Sequence, residues 1–473
     1  MDLVDIEREY HAARARYDRA TDDVAHAQSA VDEVRRAVEM AKAYLHPVRK
    51  TPPEILSMIF EHCFDPLSLS APLCSDGGLA MTRMRQPFRL AAVCRLWRHA
   101  SLISPRAWSV VEIHLDMMSS SNKKLWKDYL SLILDRCGQT KLSLRIDHSR
   151  STKPHHKPVL EMLSTRFIPR SIEIDLIVAF SFDSSATELS WLQTPTPSLR
   201  ELHLRGPESN NVLPKCVPDA PSLRTFILDC RISDAWSVSR VETLVLRSPT
   251  LRDLHSLAVL APRVTDLRII NPRRPSLMSH PGLVSFGSVV RLSVTQDFLW
   301  NTSANDMGEI AQGMEFPTAR ELQICGDPDG APLRAVYLTS ALFHSRLPVL
   351  ESLILRAMGV PHLSTALVIL ESCSALRKLH IEYATIEDAD LVSLYSLLGR
   401  PNDNIGGWAC PLLHEFVLSY SGGDINAECT HQQCMLFHLV DARCRAALDG
   451  QVAKLQKFEI PPSMNAIYRS PVT

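Results

Sequence analysis

The chain has 473 residues, 45% of them hydrophobic and 22% charged, enough to bury a large core in two or three domains or in one elongated array. Its 51 basic residues nearly balance 52 acidic ones, a net charge of -1, so no global field exists to hold nucleic acid or an anionic membrane, and neither is expected as a partner. A charged N-terminus from Asp2, no apolar run near the roughly 18 to 20 residues of a membrane span, and twelve cysteines without repeated spacing lead us to expect reduced thiols in a cytoplasmic or nuclear protein.

From Leu3 to Leu45, apolar or small residues recur at steps of three and four through Ile6, Tyr10, Ala13, Tyr17, Ala20, Val24, Ala27, Val31, Val34, Val38 and Ala41. Six heptads without a slip predict a helix with a coiled-coil-type seam over 1–46. Two outcomes stay open: homodimerisation through residues 3–45, or packing on the same chain, with Thr21-Asp22-Asp23 able to cap a second helix. His46-Pro47 ends this segment.

A second helix is expected from Thr51, with Thr51 as N-cap, Pro52 at the first helical position and Glu54 completing a capping box. Leu56, Ile59, Phe60 and Cys63 then fall on one face. A Ser/Pro/Gly-rich loop at 65–86 reads as an insertion. After it Leu90, Val93, Cys94 and Trp97 repeat the helical spacing, and Ser104-Pro105 caps a turn carrying Trp108.

Pro-Pro-Glu-Ile-Leu-x-x-Ile-Phe, then Val-Cys-Arg-x-Trp-Arg and Ser-Pro-Arg-x-Trp, together resemble the F-box found in mushroom-forming fungi, covering 47–112. The resemblance implies a three-helix F-box that docks on the small adaptor subunit of SCF-type cullin ubiquitin ligases. Carried over by position, the adaptor-binding residues are Pro52, Glu54, Ile55, Leu56, Ile59, Phe60, Val93, Cys94 and Trp97. The chain departs from the family at Thr51, where relatives usually carry Leu.

Beyond Ile113 a Pro-x-Leu-x-x-Leu-x-Leu pattern recurs, as at Pro197, Pro221, Pro262, Pro317, Pro348 and Pro411. Copies without proline run through Val241-Leu244-Leu246, Val289-Leu292-Val294, Leu376-Leu379-Ile381 and Leu455-Phe458-Ile460, and degenerate ones through Leu142-Leu144-Ile146 and Ile172-Ile174-Leu176. Each final Leu-x-Leu places two side chains on one face of a short strand that cannot bury itself. Stacked copies predict an α/β fold over 113–473, an irregular leucine-rich-repeat-like solenoid with a curved parallel sheet and outer helices. Helices are expected at Leu333–Ser345, Leu363–Cys373, Ile386–Leu398 and Gln432–Leu448, with Gly399 and Gly450 as stops. Inter-repeat loops such as those after Arg205 and Asn271 would face a target.

Cys429, His431, Cys434, His438 and Cys444 carry soft donors suited to zinc, but their spacing matches no common framework, so no metal is expected. His155-His156 reads as an exposed loop. No phosphate loop, nucleophile elbow or zinc-protease pair occurs, so no catalytic residue and no cofactor is assigned. The expectation is a non-enzymatic substrate-recognition adaptor that holds an unidentified protein substrate on its repeats while the F-box meets the ligase. The alternative is a non-ligase scaffold or interaction protein with a drifted F-box.

Overall fold

The computed structural model describes residues 2–45, 50–63, 86–115, 123–138, 140–148, 157–163, 165, 174–180, 195–205, 212–213, 220–229, 231–232, 238–270, 284–295, 314–325, 347–358, 370, 373–383, 388–402, 406–420 and 430–459. The chain divides into two compact units. The first comprises Met1–Asp65 and Arg85–Trp108, and the second is built on Ser109–Thr473.

In the first unit, α1 runs unbroken from Leu3 to Leu45. Thr21 does not divide it, because its hydroxyl donates to the Tyr17 carbonyl one turn back at 3.0 Å and leaves the backbone ladder intact. Helix α2 spans Pro53–Cys63. It starts one residue later than the sequence suggested: the first i to i-4 bond runs from the Leu56 N–H to the Pro52 carbonyl at 3.1 Å, so Pro52 takes the cap position and Pro53 the first helical one. The second apolar stretch is not one helix. It divides into α3 over 86–93 and α4, Arg95–Leu102, because Cys94 is extended (φ -160°, ψ 174°) and serves as the N-cap of α4. A 3-10 turn, Pro105–Trp108, follows as expected.

The second unit is an α/β layer built on a large open parallel sheet. Among the described residues it holds thirteen strands in strict chain order: Val110–His114, Leu142–His148, Ile174–Phe180, Leu199–Arg205, Thr225–Leu228, Thr243–Arg247, Asp266–Ile270, Arg291–Thr295, Glu321–Cys325, Ser352–Met358, Lys378–Tyr383, Glu415–Tyr420 and Lys457–Glu459. Every neighbouring pair is parallel, with register shifts only between Ile174 and Asp175 and between Leu355 and Met358 among the described residues, and the repeat sets Leu202 beside Phe226, then Leu244, Leu267, Leu292, Leu322, Leu353, Leu379 and Phe416. All nine are 0% or 1% exposed. Burying one such side chain is worth about 1.5–3 kcal/mol, so this row and the parallel row through Leu204, Leu246 and Leu355 are the main cohesive term of the unit.

The recurring proline has a local cause. Before each strand the backbone makes a tight turn: Leu199 N–H to Thr196 O (3.1 Å), Leu223 to Ala220 (3.0 Å), Val264 to Ala261 (3.3 Å), Ala319 to Phe316 (3.2 Å), Leu350 to Leu347 (3.3 Å) and Leu413 to Cys410 (3.0 Å). Pro197, Pro221, Pro262, Pro317, Pro348 and Pro411 each hold the second place of such a turn, where a fixed φ near -65° is favoured. The turns also bury Phe286, Phe316, Cys373 and Cys410, a further core row that the pattern did not include.

The strand Val110–His114 was not anticipated and begins within the segment grouped with the F-box on sequence. The strand expected at Ile172 is formed from Ile174. Helices appear at Asp388–Leu398 and Thr430–Leu448, close to expectation. Gly450 (φ 71°) ends the latter, its N–H bonded to Ala447 O and that of Gln451 to Ala446 O. Helices Lys123–Cys137, Lys157–Met162 and Leu251–Leu260 were missed. The expected helices at 333–345 and, apart from Leu370 and Cys373, at 363–373 lie outside the described residues. Arg443, 1% exposed, anchors the last helix by donating to the carbonyls of Leu398 (3.1 Å), Ala409 (3.3 Å) and Cys410 (2.8 Å).

Candidate functional site

The helical unit closes its own core with few residues. Leu56, Phe60 and Ala100 are buried, with Leu90, Leu96 and Trp97 packed against them. The Phe60 and Trp97 rings lie 5.1 Å apart, and Phe88 meets Trp108 edge-on at 5.1 Å. The Trp108 indole donates to Ser101 O at 2.7 Å. The turn is tied to α2 by Ser104 and Arg106, which reach the Glu61 carboxylate at 3.3 Å and 3.5 Å.

This packing divides the nine residues drawn from the sequence. Leu56 and Phe60 are internal, and Trp97 and Cys94 half-buried. Pro52, Glu54, Ile55, Ile59 and Val93 are exposed. The single apolar face read for α2 is therefore two stripes: Leu56 and Phe60 point inward, while Ile55 and Ile59, also i and i+4, point outward. Met58, 57% exposed and not among the residues read from the sequence, shares the outer stripe, so this eleven-residue helix carries apolar side chains on both its inner and outer faces. Thr51 is half-buried.

On the open face of the sheet, a groove of about 530 Å³ is lined by Arg291, Arg320, Glu351, Lys378, His380 and Glu415 among others. Its charges are paired along the rows: Arg320 to Glu351 (3.3 Å), Lys378 to Glu415 (3.4 Å) and Lys457 to Glu415 (3.2 Å). The Lys457 contact, opposed by burial and reinforced by Lys378, holds the Glu415 carboxyl below its usual range. Burial, followed by the nearby Arg356, pushes His380 down. Alternating signs suit a mixed-charge polypeptide better than a polyanion.

At the first strands the same face is closed. Glu112, His114, Arg145 and Asp147 are buried, with His114 3.2 Å from Glu112, 3.3 Å from Asp147, and Arg145 3.4 Å from Glu112. Burial opposes charging of His114, but the two carboxylates outweigh it and raise its pKa to about 9. Further along, His203 meets Asp229 at 3.1 Å, and burial with the nearby Asp175 raises Glu201 to about 7.

Of the zinc candidates, His438 and Cys444 are exposed on the last helix, while Cys429 and the side chains of His431 and Cys434 lie outside the described residues. So do His155-His156 and the loops after Arg205 and Asn271. Among the described residues no helix is long and apolar enough to cross a membrane. Set against known proteins, the chain matches no protein-family model and no curated protein.

Proposed function

We propose that this chain is the substrate-recognition adaptor of an SCF-type ubiquitin ligase, with the helical unit as an F-box that docks on the adaptor subunit. The consecutive parallel strands are then an irregular leucine-rich-repeat solenoid that binds a target protein on its open face. It catalyses nothing itself, and acts in the cytoplasm or nucleus by raising the target's effective concentration beside enzymes that other subunits recruit. The observation that carries this reading is the outer stripe of α2: Ile55, Met58 and Ile59 remain exposed on a unit whose own core is already filled.

Co-purification of the full chain with the adaptor subunit tests it. The Ile55→Asp, Ile59→Asp double variant changes exposed positions, so it should keep the wild-type melting temperature within about 3 °C, as expected for surface substitutions, and lose adaptor recovery at least tenfold. Recovery equal to wild type would sink the docking role. Leu56→Asp is unsuited to this purpose, because it places a charge in the core. The scaffold reading is favoured by Thr51, a polar side chain where F-box relatives carry an apolar contact; it predicts no adaptor recovery even from the wild type.

A further inference from the structure

Helix α1 is 43 residues long, about 64 Å at 1.5 Å per residue, and every described side chain on it except Asp32 is exposed. The apolar members of its heptad seam, Leu3, Ile6, Tyr10, Tyr17, Val24, Val31, Val34 and Val38, are 46% to 73% exposed. A continuous apolar seam of that length is built to be covered.

We infer that α1 pairs with α1 of a second copy, antiparallel, with Tyr17 against Ala27 and Glu7 beside Arg35. Size decides the direction. The seam alternates large residues (Leu3, Tyr10, Tyr17, Val24, Val31, Val38) with mostly small ones (Ala13, Ala20, Ala27, Ala41). A parallel, in-register pair stacks Tyr on Tyr at two layers and Ala on Ala at four, so crowded layers alternate with hollow ones. An antiparallel pair sets large against small at most layers, an arrangement that fills a core more evenly. Leu3 then faces Ala41, Ala13 faces Val31, Tyr17 faces Ala27 and Ala20 faces Val24, while Ile6 with Val38 and Tyr10 with Val34 are the layers that stay large on large.

Charge and the length of covered seam together decide the register. With Tyr17 opposite Ala27, the flanking Glu7 lies beside Arg35 of the second copy, twice by symmetry, and Asp23 facing its own copy across the twofold axis is the one like-charge contact. Sliding by one heptad in one direction sets Arg14 against Arg35 twice, which Glu7 beside Lys42 only offsets; sliding in the other pairs Arg16 with Asp23 twice but leaves Val38 and Ala41 of each copy uncovered. The parallel pair sets Asp2 against Glu7 and gains only Glu9 with Arg14. A second copy is therefore the occupant that both size and charge favour.

Light scattering on the full chain at micromolar concentration should give about twice the 53.0 kDa chain mass. The Tyr17→Glu, Val24→Glu variant, altered only at exposed positions, should give the monomer mass with an unchanged melt of the remaining fold. A monomeric wild type, or a double variant that stays dimeric, would overturn the pairing. Glu7→Arg should weaken the dimer several-fold and the added Arg35→Glu should restore it. A Glu7→Arg dimer that tightens would overturn the antiparallel direction, since in a parallel pair the new cation would face Asp2.

Discussion

Leu56 and Ile59 stand three residues apart in α2 and have opposite fates, one 1% exposed and the other 47%. Both are aliphatic and both fit a helical stripe, so only the position of Ala100, Leu90 and Trp97 against Leu56 tells them apart. Residue-level roles were legible where a residue's own backbone chemistry decides them, as at Gly450, and illegible where a neighbour distant in sequence does. His114 is of the second kind. Its partners Glu112, Asp147 and Arg145 come from two strands, and with His114 charged the cluster holds two cations and two anions. Because its pKa is raised from 6.5 to about 9 in the fold, its contribution is complete below about pH 6.5 and is lost as pH rises through 9. Thermal or urea unfolding of the wild type should lose up to about 2 kcal/mol of stability, after allowance for solvent screening, between pH 6.5 and 9.5. His114→Gln should flatten that slope, and an unchanged slope would remove the cluster from the account.

Among elements, the heptad period gave α1 to within a residue, and the Leu-x-Leu pairs gave the strands, because both periods follow from which face must be dry. Helix Leu251–Leu260 was missed although its start was written in the sequence. Thr250 and Asp253 form a reciprocal capping box, with the Thr250 hydroxyl accepting from the Asp253 N–H at 3.3 Å and the Asp253 carboxylate accepting from the Thr250 N–H at 2.8 Å. Thr250→Ala should cost about 1 kcal/mol in chemical denaturation, while Asp253→Glu, able to reach the same N–H, should cost less. Cys94 is the reverse case. Its neighbours have sound helical spacing, and the chain nonetheless breaks there into two helices. Spacing is blind to such a break, because two short helices meeting end to end can present the same residues to one core.

At the scale of the molecule, among the described residues each strand of the large sheet hydrogen-bonds within that sheet only to the sheet strands before and after it in chain order. Disturbance should therefore stay local. Leu322→Ala, in the middle of the sheet and fully buried, should cost about 3 kcal/mol, and amide exchange should speed most in Arg291–Thr295, Glu321–Cys325 and Ser352–Met358 and least in Val110–His114. Uniform loss of protection would show a globally cooperative unit. The sequence by itself determined the long helix, the repeated turn and strand, and the two rows of aliphatic core, because period, proline geometry and hydrophobicity act within a few residues of one another. Only the tertiary structure decided which stripe of α2 faces in, that the array begins already at Val110, and that the open face is sealed by ion pairs at one end and grooved towards the other. Those outcomes depend on which distant side chains arrive to exclude water, and neither local spacing nor composition encodes their arrival.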